Sequence, residues 1–136
     1  MLTKHGWEYI KKFHLNPPRQ REELPRHPEI DRMYDEHRES LQRIGVTIDQ
    51  YIFQTIFDTP ERITQGWQIT INNFPCYVTD DIDQLVLWIY PGRSINVDEV
   101  IWKTLYLRYR EWIYYQNLPH IRSVKGITHY HIMAKK

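Results

Sequence analysis

The sequence predicts an α+β fold: one mostly antiparallel sheet of about four strands, helices packed on one face, and a helical N-terminal third. Three observations carry this. Apolar residues recur with a helical period as far as Gly45. From Trp67 the period falls to two, the spacing of a half-buried strand. Caps and turn residues then separate the remaining runs.

Taken in order, "WEYIKKFH" is a short amphipathic stretch. It is halted by "LNPPRQREELPRHP", whose four prolines mark a connector. Residues 1–27 are therefore expected to be a peripheral segment, and 28–136 a single α+β domain. After Pro28 the apolar positions Ile30, Met33, Tyr34, Leu41 and Ile44 approach a helical stripe, and Gly45 supplies a stop, so a helix is expected over 28–44. Its other face, with Asp31, Arg32, Glu36, Arg38, Glu39 and Arg43, reads as solvated mixed charge. "TIDQ" has the form of a capping box and opens a helix over 48–57, and Thr59-Pro60 opens one further turn.

"WQITIN" alternates as a strand, and "NNFPCYVTDD" is a loop, because Pro75 cannot donate to a central ladder. "QLVLWIYPG" is the strongest strand. Leu85, Leu87 and Ile89 form its aliphatic face, and Gln84, Val86, Trp88 and Tyr90 a more amphipathic one. Asn96 caps a helix over 97–111, "WIYYQN" forms a third strand and "GITHYHIMA" a fourth.

Bulk properties limit function. A chain of 136 residues with a formal charge of +1 and interspersed acids and bases does not read as a general nucleic-acid binder. The single cysteine, Cys76, excludes an internal disulfide and suits a reducing compartment. No segment has the length of a membrane span, and the N-terminus lacks the pattern of a signal peptide, so a cytoplasmic protein is expected. Alanine occurs once, at Ala134, as in AT-rich genomes, viral ones included. A homo-oligomer is compatible with all of this.

The chemistry concentrates at "HIRSVKGITHYHIM". On a strand His129 and His131 share a face, with Cα atoms about 6.5–7 Å apart. Three readings stay open: core packing beside Ile127 and Met133, a shared zinc, or an anion site. Zinc needs a third ligand from His120, Cys76, Asp80 or Asp81, none at characteristic spacing. Arg122, Ser123 and Lys125 arrive just before the strand, and two cations with a hydroxyl suit a phosphate better than a divalent metal. The expectation is a shallow polar, metal-free pocket in which His129 and His131 face Arg122, Ser123 or Lys125, and no cofactor is called for. Elsewhere, "WKTLYLRYREWIYY" has the composition of a stacking surface, but at helical spacing it reads as core.

Three blocks resemble a domain family of unknown function that includes the fungal N-acetylglucosamine-induced proteins. "INNFPCYVTDDIDQLVLW" is similar to its turn and Leu-Trp strand, "WIYYQNLPHIRSV" to its aromatic strand, Asn and Ser-Val segment, and "ITHYHIMAKK" to its terminal His-x-His strand. The resemblance adds Asn73, Gln84 and Trp88 as ligand-binding candidates; Asn73 stands where an acid is usual and Gln84 where His is expected. The order of strand, helix, strand and "SVKGITHYHIM" also resembles the histidine-triad nucleotide hydrolases and transferases. That likeness implies a degenerate triad, with His131 at the nucleophile position and Met133 replacing the last histidine. The function so implied is binding of a phosphorylated small molecule such as a nucleotide or sugar nucleotide, with hydrolysis or transfer through His131 as its catalytic form. A different class also fits: a non-enzymatic interaction protein that docks a protein or nucleic acid through its aromatic surface.

Overall fold

The computed structural model describes residues 3–14, 20–21, 24–119 and 122–136. Among these, the order is α1 (Trp7–His14), β1 (Gln20–Arg21), α2 (Pro28–Arg43), α3 (Ile48–Ile56), α4 (Pro60–Gln65), β2 (Trp67–Ile71), β3 (Ile82–Ile89), α5 (Val97–Leu105), β4 (Glu111–Asn117) and β5 (His129–Lys135). The strands lie in the order β1-β4-β5-β3-β2. β2, β3, β5 and β4 are antiparallel, and the two-residue β1 adds parallel to β4 at the edge. This is the α+β class that the change of period predicts. No helix among the described residues is long and apolar enough to cross a membrane.

Local chemistry sets most boundaries. Thr47 and Gln50 form both bonds of a capping box at α3, at 3.1 and 2.9 Å. Thr59 and Asn96 cap α4 and α5 through their side-chain oxygens. After α2, Gly45 takes φ 71°, and the amides of Gly45 and Val46 bond to the carbonyls of Gln42 and Leu41, a Schellman end that only a residue tolerant of positive φ closes at no cost. Helix α5 stops at Leu105, short of the expected 111; in the turn that follows, the Tyr109 hydroxyl donates to Asp83 at 2.7 Å.

Because the pleat alternates, each sheet face has its own cover. Leu87, Ile89, Ile132, Ala134 and Tyr114 face α5, whose Ile101 and Leu105 are buried on them. On the opposite face, Val86 and Trp88 pack with Ile52, Phe53 and Ile56 of α3, and Ile82, Tyr115 and Met133 pack with Trp7, Ile10 and Leu24. The N-terminal segment is therefore not peripheral where it is described: Ile10 is 1% exposed, and His5 bridges Val78. An amphipathic helix of eight residues finds its stability by covering this face, which the connector's prolines do not prevent. In α2 only Leu41 is buried, and Met33 and Ile44 of the expected stripe are exposed.

Candidate functional site

The two histidines lie on β5, a central strand, on the face covered by α1 and α3. Register places His129 opposite Trp88, and His131 between Val86 and Tyr115. His129 is 8% exposed. Its ring stacks on Trp88, centroids 4.9 Å apart, and Trp88 donates through Nε1 to Thr70 Oγ1 at 2.9 Å. His129 Nδ1 lies 2.8 Å from the Ile127 carbonyl, a group that can only accept, so Nδ1 carries the proton and Nε2 the lone pair.

His131 is half-buried. Its ring lies 5.5 Å from those of Tyr115 and His129, and its Nε2 is 3.3 Å from Asn117 Nδ2. Asn117 is 7% exposed, and its Oδ1 has no partner among the described residues. The Arg122 guanidinium donates through Nε to the Asn117 carbonyl at 2.6 Å, which ties the loop before β5 to the end of β4. That loop is fixed at its other end by the Gly126 amide donating to Asp49 Oδ2, at 2.9 Å. Gly126 does not serve a left-handed turn; a Cβ there would collide with the Asp49 carboxylate.

Both imidazoles are held neutral. Burial, then His129, then the Arg26 guanidinium bring the pKa of His131 down to about 3. Burial also lowers His129, with Arg122 acting in the same direction, against the Ile127 carbonyl and Asp49. A neutral imidazole keeps a lone pair, which serves as a nucleophile, a general base or a hydrogen-bond acceptor.

The predicted residues divide. His129, His131, Trp88 and Arg122 come together. Ser123 and Lys125 are exposed on either side of buried Val124, and neither bonds to the histidines. Gln84 shares the sheet face but spends its amide on the Cys76 backbone, donating to O and accepting from N at 2.9 Å, which clamps the loop above it. Asn73 is exposed in that loop, where neighbouring Asn72 accepts from the Phe74 amide. His120, a candidate zinc ligand, lies outside the described residues. Among the described residues no three of His, Cys, Asp and Glu come together as a metal site. A cleft of about 550 Å³ opens beside the loop between β2 and β3, lined by His27, Cys76, Tyr77, Asp83 and Gln84, and it includes neither His129 nor His131.

Sequence reasoning passed over Asn117, Tyr115 and Arg26. Asn117 was visible as the polar end of an aromatic strand, on the same parity as Tyr115. Arg26 left no such signal, because it sits in the proline-rich connector.

No family model matches the chain, and no curated protein does. A solved structure does. The crystal structure of HTC1 superposes with a TM-score of 0.65 over 97% of this chain and 85% of its own, at 18% identity. At that identity the likeness is one of fold alone.

Proposed function

We propose that this protein is a cytoplasmic binder of a phosphorylated small molecule, a nucleotide or sugar nucleotide, at the face formed by His129, His131, Asn117 and Arg122. The observation that carries the reading is the pairing of neutral, half-buried His131 with Asn117, on whose carbonyl Arg122 is seated. Arg122 uses one N–H on that carbonyl, and a guanidinium has further donors for phosphate oxygens. The Asn117 amide, which now contacts His131 Nε2, turns its donors to the ligand as it enters and releases the imidazole lone pair. Attack on phosphorus would then form an N–P bond as the bond to the leaving oxygen breaks, with Arg122 stabilising the developing charge. The sequence resemblance to a degenerate histidine triad assigns the nucleophile position to His131, and the loss of its last histidine favours binding over fast turnover.

A thermal-shift screen with inorganic phosphate, nucleotides and sugar nucleotides tests the proposal. Ligand at about 100 times its dissociation constant adds about 2.7 kcal/mol of stability. We expect such a shift in the native protein and its loss in Arg122→Ala and His131→Ala. A flat screen, or a shift untouched by both substitutions, would sink the reading.

A further inference from the structure

The stretch "WKTLYLRYR" divides between two environments. Leu105 is buried on the sheet, and Tyr109 packs there with its hydroxyl on Asp83. Trp102, Tyr106 and Leu107 face outward, 54%, 47% and 82% exposed. Trp102 and Tyr106, one helical turn apart, stack with centroids 4.5 Å apart and planes within 4°, one flat-sided block. Arg108 and Arg110 are exposed beside it, and among the described residues neither has an ion pair. The neighbouring acids are engaged elsewhere: Glu99 with Lys103 at 2.6 Å, Glu111 with Lys11 at 3.6 Å, Asp83 with Tyr109 and Lys136, and Asp98 with the Tyr114 hydroxyl. The patch is thus apolar at its centre and carries uncompensated positive charge at its edge.

We propose that the outer face of α5 and the turn after it dock an acidic, apolar-anchored segment of a partner protein. Trp, Tyr and Arg are the residue types that dominate interface energetics, and a contiguous exposed apolar patch rimmed by charge marks an interaction site. Trp102, Tyr106 and Leu107 take the apolar anchors, and the Arg108 and Arg110 guanidiniums select carboxylates. A second copy of the chain fits less well, because a two-fold contact through this patch would bring the unpaired arginines of both copies into one interface. Single-stranded nucleic acid would use the aromatic rings, but Leu107, the most exposed of the three, presents no ring for a base to stack on. The patch lies on the opposite side of the sheet from the histidines, so docking leaves the ligand site free.

The test is a random-peptide display selection against the folded full-length chain, followed by fluorescence anisotropy of the enriched peptides. We expect enriched sequences that combine Asp or Glu with Leu, Phe or Trp. Their affinity should fall by about tenfold or more in Trp102→Ala and in an Arg108→Glu, Arg110→Glu double variant, the loss typical of an interface hot spot. All three side chains are exposed, and unchanged melting curves would confirm that the variants fold. Failure to enrich peptides, enriched peptides without acids, or binding that survives both variants would overturn the proposal. So would tighter binding of an oligothymidylate probe than of any peptide, or a self-association in sedimentation that Trp102→Ala abolishes.

Discussion

At His131 the burial that removes a proton also couples the fold to pH. The unfolded imidazole titrates near about 6.5, whereas in the folded chain His131 does so at about 3, and His129 is lowered as well. Between those values the unfolded chain binds more protons, so the stabilisation present above the unfolded pKa is lost as pH falls toward the folded one. Asp81, held at about 2 by Lys135 and Thr79, has the same sign but a lower window, opening at the ordinary carboxylate pKa and running down to about 2. Urea midpoints should therefore decline between about pH 6.5 and pH 4.5, and the decline should be shallower in His131→Gln. A flat midpoint over that interval would mean that the histidines are not buried neutral. The pair should also separate by truncation. His129→Ala removes a ring stacked on Trp88 and should cost about 2–4 kcal/mol in denaturant melts. His131→Ala, from a half-buried position, should cost less and act chiefly on ligand binding. The histidines were legible because a period of two fixes which residues share a face; Asn117 and Arg26 join them through strand register and a distant connector, which no local pattern encodes.

Among the elements, α3 shows how a local signal acts at a distance. Its capping box was legible as "TIDQ", since caps depend on residues three apart. What "TIDQ" does not reveal is that its Asp49 reaches across to the Gly126 amide and so fixes the loop that carries Arg122. The start of β5, expected near Gly126, is found at His129, after this tied loop. Thr47→Ala should cost about 1 kcal/mol, the usual value of a lost N-cap. Gly126→Ala should cost more than Thr47→Ala, because the added methyl displaces the Asp49 carboxylate, and it should also reduce the thermal shift produced by a nucleotide ligand. Equal stability losses and an intact ligand shift would show that the loop is positioned by something else. Helix α5 is the converse case: its aromatic and arginine residues continue the helical pattern past Leu105, but the helix ends there and the Tyr109 side chain joins Asp83 of β3. Periodicity reads the face of an element better than its end.

For the whole molecule, the sheet is the shared support of two unrelated surfaces, with α5 on one side and the histidine face on the other. Its central strands, β3 and β5, should hold the slowest-exchanging amides, across 85–89 and 129–133, whereas edge strand β2 should exchange faster. The N-terminal segment decides whether this picture extends to the entire chain. Its prolines suggested a periphery, yet Ile10 and Trp7 close the core over Tyr115 and Met133, immediate neighbours of His131 in the sheet. If α1 is structural, Ile10→Ala should cost about 2–4 kcal/mol, as for other fully buried aliphatic truncations. Because the cavity would open beside Met133, exchange should quicken in β5 as well as in α1. A loss under about 0.5 kcal/mol, the range of surface substitutions, with exchange in β5 unchanged, would return α1 to the periphery and leave the histidine face covered by α3 alone.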